Sequence, residues 1–164
     1  MMFGGRRYDT AGILKLPIES IVMRENQRSL LHRRLREALA EQPEIRGLRA
    51  LLLEIGSIEL VAPPWRDCNV PVLIHAGFVM EGRVVLRIME HSACHRNLSR
   101  LWARKRNGLV GIGTGYALSG DGLWRQHSWG VGRRGIVETT QVRMRYFGYL
   151  LQGRDADSFA AANG

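Results

Sequence analysis

Cysteine, lysine and long apolar runs are all scarce in this 164-residue chain. Each scarcity excludes something. The only two cysteines, Cys68 and Cys94, form no CxxC pair, which argues against a zinc knuckle and against a disulfide framework. No apolar run approaches the roughly 18 to 20 residues that span a bilayer, and the opening MMFGGRRYDTAG has no apolar stretch of the signal-peptide kind. The chain is therefore expected to be soluble and cytoplasmic, with secretion without a cleaved leader as the other option. Lysine occurs only at Lys15 and Lys105, so nearly all of the 24 basic residues are arginine, and against 15 acidic residues they give a net charge of +9. Such an excess favours nucleic acid, acidic membranes or acidic proteins as partners, yet a genome's coding bias produces the same skew, and net charge alone locates no patch.

What is present suffices for one folded domain, since a hydrophobic fraction of 45% suits a packed core at this length. Residues 1–16 show no clear period and are expected to form a loose arm or an edge strand. Leu30, Leu31, Leu35, Ala38 and Leu39 recur at helical spacing over Gln27–Glu41, and Leu48, Leu51, Leu52 and Ile55 do so over Ile45–Ile55. The arginines of the first helix read as a solvated face. A short strand is expected over Ser57–Val61. Two β-branched, apolar runs, Val70–Met80 and Arg83–Met89, flank Glu81-Gly82 and predict a hairpin, with His75 a core or edge residue rather than a ligand. The pattern then changes to a helix from Ser92 to about Lys105, with Leu98, Leu101 and Trp102 on one face and Asn107-Gly108 as its stop. Strands follow over Leu109–Leu118, Leu123–Val131, Ile136 to about Arg145, and Tyr146–Leu151. The expected architecture is a single α+β domain over residues 1–152, in which N-terminal helices and a helix carrying the cysteine pack on an antiparallel sheet. Residues 153–164 read as a disordered tail.

Three residues in order suggest a chemistry: Cys94 opening a helix, His127 on a later strand and Glu138 on the next. A thiol attacks as thiolate, and a helix N-terminus or a neighbouring imidazolium lowers its pKa. Exposed N–H groups of that helical turn could also stabilise an oxyanion. If Arg133-Arg134 form a hairpin tip, Gly132 faces Gly135 and Val131 faces Ile136. His127, Trp129, Glu138 and Thr140 then share one face, and Glu138 is a diagonal neighbour of His127. A one-residue slip would separate the two.

The block GYALSGDGLWRQHSWGVGRRGIVETT resembles the transglutaminase-like pattern, in which a glycine-tyrosine strand precedes a His-x-Trp strand and the next strand carries an acid followed by threonine. His127-Ser128-Trp129 matches the His-x-Trp element and Glu138-Thr139-Thr140 the acid element, with glutamate where that family usually has aspartate. The resemblance covers about residues 91–141. It implies a papain-like or transglutaminase-like core and a cofactor-independent acyl transfer, with Cys94 as nucleophile, His127 as general base and acid, and Glu138 as the orienting group. The substrate would be a peptide, a protein or a small amide or ester.

Other readings stand beside this one. His91, Cys94 and His95, with His127, could be metal ligands, although their spacing is unusual for a zinc site. Tyr116, Trp124 and Trp129 either line a substrate cleft or belong to the core. Gly111-Ile112-Gly113-Thr114-Gly115 superficially looks like a phosphate loop, but no Gly-Lys-Ser/Thr follows and a strand does, so close-packed strand glycines explain it better. Arg96, Arg100, Arg104 and Arg106 on the cysteine's helix suit a noncatalytic domain that binds nucleic acid or an acidic protein.

Overall fold

The computed structural model describes residues 7–8, 25–104 and 108–164. Two amphipathic helices come first, α1 (Glu25–Glu41) and α2 (Ile45–Gly56), much as the helical spacing of leucines requires. An eight-stranded mixed sheet carries the rest: β1 (Arg7–Tyr8), β2 (Glu59–Leu60), β3 (Phe78–Met80), β4 (Val84–Leu86), β5 (Leu109–Leu118), β6 (Leu123–Gly132), β7 (Gly135–Glu138) and β8 (Arg145–Leu151). The strand order is β1-β4-β7-β6-β5-β8-β3, with β2 on the flank of β6. Strand β1 is the only part of residues 1–16 within the described residues, and it pairs with β4 at the end of the sheet. The sheet is not purely antiparallel, because β4 runs parallel to β7 and β2 parallel to β6. The architecture is α+β.

Three expectations about the elements are corrected. Val70–Ala76 is a helix, α3, with Pro71 in its first turn and Val70 and Leu73, one helical turn apart, fully buried. Only β3 remains of the predicted first strand, and it pairs with β8 while β4 pairs with β7, so the two runs form no hairpin. The strand expected from Ile136 to about Arg145 ends at Glu138, where the carboxylate accepts hydrogen bonds from the next two backbone N–H groups and the chain leaves the sheet until Arg145. The tail is ordered: Gly153–Asn163 forms α5, which packs against α4 (Cys94–Ala103). Small residues let α5 approach closely, burying Ala156 completely, and Asp157 Oδ1 accepts a 2.7 Å hydrogen bond from Trp102 Nε1.

Chain connectivity dictates the curvature. Met80 and Val84 are four residues apart, so their Cα atoms lie at most about 15 Å from each other. In a flat sheet the five steps from β4 to β3 would set those strands roughly 24 Å apart. The sheet therefore curls. Trp129, Tyr146, Val84, Ile136 and Ala117 fill the inside of the curl. Alternate residues of β5 face outward: Tyr116 and Leu118 pack under α2 and α3 with Trp124 and Phe147, and Ile112 packs under α4 and α5.

Candidate functional site

On its flank away from β5, strand β6 is covered by β2 at Leu123–Trp124 and by β7 from Gly130 to Gly132. Among the described residues no strand pairs with residues 125–129 on that flank, and the N-terminus of α4 occupies the interval. Cys94 is the first residue of the helix, and no side chain caps the terminus. The backbone N–H of Ser128 in that interval and that of His95 in the helix both donate to the Cys94 sulfur. His95 Nδ1 lies 2.7 Å from Ser128 Oγ, which donates to Thr114 Oγ1, fastening the helix to the strand behind the thiol.

The hairpin register inferred from the sequence holds over its paired residues: Val131 faces Ile136 and Gly132 faces Gly135. Glu138 therefore meets His127 as a diagonal neighbour, and Nε2 of the ring lies 2.8 Å from Oε2 of the carboxylate. Its other nitrogen is left for Cys94, with whose side chain His127 also hydrogen-bonds. Both members of the His127–Glu138 pair are buried, at 2% and 0% side-chain exposure.

Glu138 is held by a full set of donors. Oε1 accepts from the N–H of Thr139 at 2.8 Å and from the N–H and hydroxyl of Thr140, both at 3.0 Å. Oε2 accepts from Tyr146 Oη at 3.2 Å as well as from His127. Burial alone would raise the carboxyl pKa, but the hydrogen bond and charge of His127 and the Thr140 donors bring it below its ordinary value. For His127, burial favours the neutral ring, yet hydrogen bonds to Cys94 and Glu138 and the negative charge of both push the pKa up to about 9. Burial likewise opposes ionisation of Cys94, and the imidazolium with the two backbone N–H groups overcomes it, so the thiol pKa falls. The arrangement favours a thiolate–imidazolium pair.

A cleft of about 550 Å³ opens at this point, bordered by Cys94, His127, Ser119, Thr140, Gln141 and Arg143 among others. A second cavity of about 400 Å³ lies beyond Arg143, between Met80, Val84, Ile136 and Tyr146, and has neither cysteine nor histidine in its walls.

Tyr116, Trp124 and Trp129 do not border the cleft. All three are fully buried: Tyr116 donates to Asp67 Oδ2, Trp124 donates to the Leu52 carbonyl, and Trp129 lies 5.0 Å from the Tyr146 ring and 6.3 Å from that of His127. His91 Nδ1 meets Ser92 Oγ and His95 Nδ1 meets Ser128 Oγ. Among the described residues no three histidine, cysteine, aspartate or glutamate side chains gather to hold an ion. His75 is exposed near the end of α3. Of the arginines after Cys94, Arg96 and Arg100 both pair with Glu90, Arg104 is exposed, and Arg106 lies outside the described residues. No helix among the described residues is long and apolar enough to cross a membrane.

Sequence reasoning missed Tyr146, Arg143 and the His95–Ser128 clamp. The chain leaves the sheet between Glu138 and Arg145, so strand alternation could not carry the register to Arg143 or Tyr146. Compared with protein-family models, with curated proteins and with solved structures, the chain matches none.

Proposed function

We propose that the chain is a cysteine-dependent acyl-transfer enzyme with a papain-like or transglutaminase-like core. The observation that carries this reading is the continuous hydrogen-bonded series from Cys94 at a helix N-terminus through His127 to Glu138. In the first half-reaction the Cys94 thiolate attacks an amide or ester carbonyl and the sulfur–carbon bond forms. His127 then gives its proton to the departing amine or alcohol as the old carbon–heteroatom bond breaks, leaving a thioester. In the second half, His127 takes a proton from water or from an amine, which attacks the thioester and releases the thiolate. Glu138 keeps the ring oriented and stabilises its charged form without itself accepting the proton. Water as acceptor makes the enzyme a hydrolase or deamidase; an amine makes it a transferase.

The exposed Cys68 supplies an internal control. Competitive labelling with iodoacetamide near neutral pH, read by peptide mass spectrometry, should modify Cys94 at least about tenfold faster than Cys68, and His127→Ala should abolish the difference. Equal labelling of both thiols in the unaltered protein would refute the assignment.

A further inference from the structure

Every side chain bordering the cleft beside Cys94 is polar, glycine, or part of the Cys94–His127 pair itself; no valine, leucine, isoleucine, methionine, phenylalanine, tyrosine or tryptophan is among them. Without a large apolar side chain in its walls, the cleft suits a polar substrate better than a hydrocarbon acyl chain. The charges within it are unevenly matched. Arg125 is neutralised by Asp121 through two hydrogen bonds, 2.8 and 2.6 Å long, and the His127 imidazolium is matched by Glu138. Arg143 has no such partner. Its Nη1 donates to the neutral hydroxyl of Ser119 at 2.5 Å, its buried Nε–H has no hydrogen-bond acceptor, and among the described residues no carboxylate forms an ion pair with it.

A guanidinium is a planar fork of donors whose best acceptor is a carboxylate or similar anion, and a buried N–H left unpaired is unfavourable. The neutral Ser119 hydroxyl orients that fork without cancelling its charge. The geometry points to Arg143 as the anion-recognition residue of this cleft, so that the acyl donor presented to Cys94 is a polar amide or ester carrying a carboxylate close to its reacting carbonyl. This inference rests on the acyl-transfer reading given above and adds the substrate class to it.

Iodoacetate and iodoacetamide test it without a known substrate. Both undergo the same displacement, in which the thiolate sulfur bonds to the methylene carbon and iodide departs, and they differ in carrying a carboxylate or a neutral amide. The rate ratio of iodoacetate to iodoacetamide at Cys94 should fall about three- to tenfold in Arg143→Gln and in Arg143→Met, the size of one charge acting over several ångströms at a partly solvated site. Arg143→Lys should keep most of the ratio, because it keeps the charge. The double variant Arg125→Gln/Asp121→Asn removes a matched pair and should leave the ratio unaltered. Fast labelling of Cys94 by both reagents, with a ratio indifferent to loss of Arg143, would overturn the anion site while leaving the nucleophile assignment standing. Sluggish labelling of Cys94 by both reagents in the unaltered protein would instead overturn the acyl-transfer reading and this inference with it.

Discussion

Glu138 shows how a carboxylate can be buried and still charged. Five donors converge on its two oxygens, so ionisation costs little even at zero exposure, and the side chain has no freedom to turn away from His127. The pH dependence follows from these couplings. Cys94 titrates below its ordinary value and His127 near 9, so the thiolate–imidazolium pair exists between those two limits and the rate of a thiol reaction at Cys94 should plateau there. Glu138→Gln removes the negative charge that raises His127, so the alkaline limb should move down in pH. With a less stable imidazolium the thiol is less stabilised as thiolate, and the acidic limb should move up. The plateau narrows from both sides. Turnover in the proposed acyl transfer should fall less than in Cys94→Ala, and pH–rate profiles of alkylation in the two proteins check both limbs. An unchanged profile would reduce the site to Cys94 and His127 alone.

Among the elements, the last helix supports the one that carries Cys94. Helix α5 braces α4 through Ala156 and the Trp102–Asp157 bond, and Phe159 stands edge-on to the ring of His95, 5.7 Å from it and inclined at 77°. Ala156→Asp would bury a carboxylate in that seam and should cost about 3 kcal/mol, measured by urea unfolding, whereas Asp155→Ala on the exposed face of the same helix should cost far less. This helix was illegible in the sequence because alanine, serine and aspartate give a weak apolar stripe, and what stabilises it is the partner surface on α4. The segment Val70–Ala76 misleads in the opposite way. Its apolar run fits a strand, and only the burial of Val70 and Leu73 one turn apart, with Pro71 in the first turn, distinguishes the helix that forms. By contrast β5, β6 and the turn into β7 were readable almost residue by residue, since glycine-bounded runs and a two-residue tip specify local register. The candidate site was legible to the same extent: Cys94, His127 and Glu138 sit on locally encoded elements, while Tyr146 and Arg143 reach it through a segment without regular structure.

For the whole molecule, curling of the sheet depends on what its concave face omits. The Trp129 indole lies over β5 and β8 where both carry glycine; a Cβ on Gly113 would come within 2.1 Å of Trp129 Nε1, and one on Gly148 within 2.3 Å of the Thr114 carbonyl oxygen. Gly113→Ala should therefore destabilise the fold by about 2 to 3 kcal/mol through overpacking. Since Trp129 stacks on His127, the same variant should also slow labelling of Cys94, which mass spectrometry can follow alongside denaturant melts. Labelling at the original rate in a destabilised protein would show that the indole supports the fold and not the site. The separation of the site's parts along the chain has a consequence during synthesis. Cys94 is joined to the chain before His127, Ser128 and Glu138 exist, and at about 5 to 20 residues per second it waits some seconds for them. Throughout that interval it lacks the imidazolium and the strand N–H that favour its ionisation, so the nascent chain carries an ordinary thiol whose pKa falls only when β6 and β7 close on the helix.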